Sequence, residues 1–196
     1  PPHLDLDMRI LHIDSSSLGT ASVTRHWTQA TVDRLVQQHP NATVEHLDLA
    51  REPLPHWTPE QAGTAQSQAV MEQFLRADVV VIGAPMYNFS IPSQLKAWVD
   101  RVAVAGKTFR YNAQGQPEGL AGNKQVWLVS GRGGQYGDAH PMDFQENYLK
   151  TVMGFLGITR IETVRAEGLA MGEQAKEQAF SNAFSMLPEA LLTAAA

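Results

Sequence analysis

Three short stretches carry residue types that could hold a planar or anionic ligand. Ser15-Ser16-Ser17-Leu-Gly-Thr20-Ala-Ser22-Val23-Thr24 places six hydroxyls within ten residues, directly ahead of a helical pattern. A helix amino terminus offers free N–H groups and partial positive charge, and hydroxyls beside them add donors for a phosphate. Arg25 could add charge there or face water. Pro85-Met86-Tyr87-Asn88-Phe89 offers aromatic faces and an amide that both donates and accepts. Two readings stand for it: a wall against a flat ring, or aromatics packed under the adjacent loop. Ser130-Gly131-Arg132-Gly133-Gly134 lets backbone approach a ligand closely, with successive N–H groups able to face an oxygen.

The elements that must position these stretches alternate strand and helix. Strands are expected at 8–13, 42–47, 79–83, 124–130 and 160–166. Helices are expected at 23–38, 58–76, from Leu95 onward, 143–156 and 173–193, with Thr58 capping the second and Pro59 in its first turn. The run at 79–83 has the β-branched density of a strand buried on both faces. From Leu95, apolar residues at 95, 98, 99, 102 and 103 repeat at helical spacing. Residues 107–120 break the alternation: Phe109 and Tyr111 alternate with polar residues ahead of turn chemistry at 112–115, which reads as a small β excursion. Five strands alternating with helices imply a doubly wound parallel α/β sheet, whose order local pattern does not fix. All three stretches then leave the carboxyl ends of strands, the edge where such sheets bind ligands.

Composition narrows the function classes. A chain of 196 residues suits one domain, here 8–196, with 1–7 read as a tail. There is no cysteine, which removes disulfides, thiolate nucleophiles and cysteine metal sites. Net charge is −5 with no dense basic run, so nucleic acid is not an expected partner. No apolar run reaches the roughly 20 residues of a membrane span and no secretory pattern opens the chain, so a cytoplasmic location is expected. Gly106-Lys107-Thr108 resembles a phosphate-loop ending, but Arg101 stands where the motif needs glycine. GxGxxG and GxSxG are absent, and the seven histidines lack a metal-ligand spacing. No metal is therefore expected, and His12, inside the first strand, reads as a packed core residue.

Longer strings then point to a family. Residues 84–89 (APMYNF), 108–111 (TFRY), 117–120 (PEGL), 154–159 (GFLGIT) and 166–170 (AEGLA) make the chain resemble the FMN-dependent NADH-azoreductases, also described as quinone reductases, of the flavodoxin-like superfamily. The resemblance spans Met8 to about residue 190. It implies a strand order of 2-1-3-4-5 and tightly bound, non-covalent FMN at the switch point. On the phosphate it implies Ser16, Ser22 and Thr24, with backbone from Val23. Along the isoalloxazine it implies Pro85, Met86, Tyr87, Asn88 and Phe89. Near the pyrimidine edge it implies Gly131, Gly133 and Gly134, with Ser130 as the hydroxyl that could replace the Ser some relatives carry at the position of Gly131. Trp57, Phe109, Tyr136, His140 and Phe155 are expected around the substrate. The implied activity is two-electron transfer from NADH or NADPH through FMN to quinones and azo compounds, by a ping-pong mechanism needing no side-chain nucleophile. The implied assembly is a homodimer, with 152–155 as a candidate wall. The alternative is a flavodoxin-type electron carrier that NADH does not reduce directly.

Overall fold

The computed structural model describes residues 8–189. Strands β1 (Arg9–Asp14), β2 (Thr43–Asp48), β3 (Val79–Pro85), β6 (Gln125–Gly131) and β7 (Arg160–Ala166) form one parallel sheet in the order β2-β1-β3-β6-β7. In chain order of the five this is 2-1-3-4-5, the flavodoxin-like arrangement the resemblance implied. Every residue of β3 is buried, because helices cover both faces of the sheet.

Alternation along each strand divides the core in two. Leu11, Val80, Ile82 and Leu128 face Phe74 of α2 (Ala65–Arg76), Trp98 of α3 (Ser93–Val102) and Met153 of α4 (Glu146–Phe155). Ile10, Val79, Val81 and Val129 face Trp27 and Val32 of α1 (Val23–Gln38) and Ala179 and Ala183 of α5 (Glu173–Ser185). The β excursion is a separate antiparallel pair, β4 (Phe109–Tyr111) with β5 (Pro117–Gly119). It docks by backbone: a Cβ on Gly119 would lie 2.1 Å from the nitrogen of Gly157, which itself has a φ of +93°.

Several boundaries shift by one to three residues, α4 for instance starting at Glu146 where 143 was expected, and three differences have clear local reasons. Strand β3 runs on to Pro85, still in register with Gly131 of β6. Thr58 and Pro59 make only a 3-10 turn, Pro59–Gln61, without a side-chain cap. Helix α2 starts after Gly63, where the Thr64 side chain accepts the N–H of Ser67. Helix α5 ends at Ser185, ahead of Pro188, which lacks the N–H and the freedom to continue it. Residues 1–7, expected as a tail, and 190–193, the expected end of the last helix, lie outside the described residues. No described helix is long and apolar enough to cross a membrane.

Candidate functional site

At the carboxyl edge of the sheet, the loops after β1, β3 and β6 enclose a cavity of about 230 Å³. Nine of the thirteen residues expected at a cofactor line it: Ser16, Ser22, Val23, Thr24, Pro85, Met86, Tyr87, Gly131 and Gly133. Leu18, Ala21, Arg132 and Leu169 complete the wall.

The first loop is an anion-shaped donor set. Ser22 caps α1, its Oγ accepting the N–H of Arg25 and lying 3.1 Å from Thr24 Oγ1. As at any helix start, the first N–H groups, those of Val23 and Thr24, have no partner within the helix. Arg25 neither faces water nor lines this cavity. Its guanidinium makes a bidentate pair with Asp48 at 2.7 and 2.8 Å and donates twice to the Ser16 carbonyl, so it ties the loop to β2.

The second loop is a tight reversal. Tyr87 and Ser90 exchange backbone hydrogen bonds, and Asn88 and Phe89 both sit at positive φ, +49° and +69°. Two consecutive left-handed residues make a primed turn; Asn tolerates the first place, but for Phe the conformation is costly. Phe89 is exposed, and its carbonyl accepts the N–H of Phe144. Neither Asn88 nor Phe89 lines the cavity; they stand at its rim beyond Tyr87. The Tyr87 hydroxyl reaches Ser17, 3.2 Å from its Oγ, joining the second loop to the first. Burial pushes the phenol up, but the Ser17 and Ser16 contacts and the charge of Arg25 outweigh it and hold it below the usual tyrosine value.

The third loop hangs on a buried ion network that sequence reasoning missed. Arg132 is buried, with Nη1 2.9 Å from Asp143 and Nη2 3.0 Å from Glu146. Its Nε donates to Gln145, whose amide donates to the Ala84 carbonyl at the end of β3. Arg165 closes on Glu146 from the other side at 2.8 and 2.6 Å. Burial pushes the Glu146 carboxyl up, yet the bonds from Arg165 and Ser130 and the charges of both arginines hold it at about 2. The hydroxyl of Ser130 is therefore committed to Glu146, 2.5 Å away, and Ser130 does not line the cavity. The loop carbonyls of Arg132, Gly133 and Gly134 accept N–H groups from Leu169, Ala170 and Gly168, and the Arg132 N–H donates to the Ala166 carbonyl, so the N–H groups of Gly133 and Gly134 are what remain for a ligand. The only sequence signal for this network was an arginine inside a glycine loop, and for Leu169 the 166–170 string.

The five residues expected around a substrate do not meet in one place. Trp57 lines a second cavity of about 350 Å³ with His56, Ile91, Lys96, Asp100 and Tyr148, and the Arg101 guanidinium lies 5.8 Å from its ring centre. Phe109 packs on Phe155 at 4.7 Å and extends the core beneath the β4–β5 pair. Tyr136 and His140 stack edge to face at 5.4 Å beyond Gly134, and His140 Nδ1 accepts the N–H of Met142. Of the candidate wall at 152–155, Met153 is core and Val152 and Phe155 are partly buried.

A family model described as flavodoxin-like fold matches residues 8–189. The chain is 53% identical over 188 residues to an FMN-dependent NADH:quinone oxidoreductase 1 of Xanthomonas euvesicatoria pv. vesicatoria, covering 93% of this chain and 96% of that one. It is 50% identical to an FMN-dependent NADH:quinone oxidoreductase of Ralstonia nicotianae, with 92% and 95% covered. Among solved structures, an azoreductase from Bacillus anthracis superposes with a TM-score of 0.82 at 32% identity, over 91% of this chain and 95% of that one.

Proposed function

Because the chain belongs to the FMN-dependent NADH:quinone oxidoreductases, a family of flavodoxin-like fold, we propose that it binds FMN non-covalently in the three-loop cavity and passes two electrons from NADH to quinones. Azo compounds are further acceptors in this reading, and donor and acceptor use the same face in turn. The observation that carries it is the convergence of an anion-binding loop, an aromatic loop and a glycine loop on one cavity at the carboxyl edge.

The residues present fit such a cofactor. Ser16, Ser22, Thr24 and the open N–H groups of α1 suit a phosphate dianion. The cavity is small enough to hold the phosphate and its neighbouring chain, leaving a flat ring to extend past Pro85, Met86 and Tyr87 toward Asn88 and Phe89. The N–H groups of Gly133 and Gly134 would face the ring's oxygen-bearing edge and favour negative charge there. When bound, FMN accepts a hydride from the nicotinamide and returns two electrons to the acceptor. The protein orients the partners and keeps the charge-bearing edge against fixed N–H dipoles. A second copy of the chain belongs to the same proposal, supported by Phe89, Met142 and Phe144 exposed together at the rim.

The purified chain should take up one FMN. NADH alone should reduce it in a stopped-flow experiment, and a quinone should reoxidise it. No uptake would refute the cavity assignment, whereas uptake without direct reduction by NADH would mark an electron carrier instead.

A further inference from the structure

A second cluster of chemistry lies on the α1 side of the sheet, apart from the cavity above. In the parallel pairing of β1 and β2, His12 is the register partner of His46, and Asp14 follows two residues on, on the same face. Asp14 Oδ2 lies 3.3 Å from His12 Nε2 and 2.9 Å from His46 Nε2. The three ligand atoms all fall within 4.8 Å of one another. The ring centres are 4.4 Å apart, tilted by 28°, with both Nε2 atoms turned to the one carboxylate oxygen.

The His12 nitrogen is the telling member. His12 is 3% exposed, and its Nε2 is buried with no well-directed hydrogen bond, its nearest polar neighbour being Asp14 Oδ2 at 3.3 Å. The other carboxylate oxygen is already fixed: Thr28 Oγ1 donates to Asp14 Oδ1 at 2.8 Å, the outer-shell orientation that metal-binding carboxylates have. Nor is a counter-charge fully supplied. Arg25 Nη1 stands 3.7 Å from Asp14 Oδ2, but its short contacts go to Asp48 and the Ser16 carbonyl.

We infer that His12, Asp14 and His46 form a binding site for a divalent first-row transition cation such as zinc. Metal–ligand bonds of about 2.0–2.1 Å put tetrahedral ligands about 3.3 Å apart, close to the two edges present. Two imidazoles with one carboxylate and open remaining positions is an established donor set for such ions. The ion has a way in: a surface cleft of about 510 Å³, with Gln29 and Asp33 on its wall, is lined by both histidines. The His46 side chain is 48% exposed, so its ring can rotate to bring the third edge in while water completes the coordination. This site stands independently of the FMN reading.

The test is titration of the purified, chelator-treated protein with zinc by calorimetry, and with cobalt(II) by visible absorption at wavelengths beyond the flavin bands. One zinc per chain is expected, with cobalt bands of a nitrogen- and oxygen-ligated low-coordinate ion. His46→Ala should weaken binding at least tenfold and remove the bands, and His46→Gln, which keeps the volume, should do the same. His39→Ala, at the far end of α1, should change neither readout. Absence of one-to-one binding would overturn the site, and so would binding that survives both His46 variants or falls equally in His39→Ala.

Discussion

Glu146→Gln is the perturbation that probes the third loop most directly. The glutamate is 1% exposed and stands between two arginines, 3.0 Å from Arg132 and 2.6 Å from Arg165, while Ser130 donates to it from β6. Glutamine keeps the shape and one acceptor but removes the charge both guanidiniums face. Holding the carboxyl at about 2, against 4.5 when exposed, corresponds to about 3 kcal/mol of folding free energy at neutral pH. Removing one partner of a buried ion pair costs about 3–5 kcal/mol, so two routes agree. Because the folded value is depressed, the contribution is complete above about pH 5 and lost as pH falls toward 2, with about a quarter gone by pH 4. Urea unfolding followed by tryptophan fluorescence should therefore give a gap of about 3 kcal/mol between wild type and variant at pH 7, narrowing at pH 4. FMN should also bind the variant more weakly, since Ser130 and Arg132 set the end of β6. A gap under about 1 kcal/mol, or one unchanged between pH 7 and pH 4, would refute the reasoning.

The turn at Asn88 separates backbone from side chain: Asn88→Gly keeps the φ of +49° at no steric cost and Asn88→Ala strains it. Equal loss of FMN affinity in both would assign the role to the amide, and retention in glycine alone would assign it to the backbone. Gly131→Ala would put a Cβ 2.9 Å from the Thr24 methyl, so affinity should drop at least tenfold and recover in part when Thr24→Ser removes that methyl; lack of recovery would show that the clash is not the cause. Ser22→Ala and Thr64→Ala each remove a helix cap and should each lower stability by about 1 kcal/mol, but only Ser22→Ala should weaken FMN binding in a fluorescence titration.

Local pattern made the alternating elements legible because each helix and strand buries one stripe or run that sequence spacing reveals. The α2 start was misplaced because Thr58-Pro59 and Thr64 carry the same capping chemistry, and only Thr64 has an uninterrupted apolar face after it. The cavity residues were legible because ligand loops follow strands at one edge. The Arg132–Glu146–Arg165 network was not, since a charge in sequence looks the same whether solvated or paired with a group 14 or 19 positions away. His12 and His46 were read as scattered for a related reason. The register of β1 against β2, 34 residues away, is what makes them neighbours.

The contact of Gly119 with Gly157 bears on how this molecule tolerates alteration. The β4–β5 pair is held by its inner ends: the Leu120 N–H bonds Thr108, the Ala121 N–H bonds Leu156, and bare backbone meets bare backbone at the two glycines. Its outer end, the turn from Asn112 to Gln116, closes on itself through the Asn112 side chain and exposed backbone. Anchoring and tip are thus separate. A peptide spliced at Gln114-Gly115 would extend a loop whose seat is fixed elsewhere, which makes this hairpin the natural port for a tag, a reporter or a surface tether.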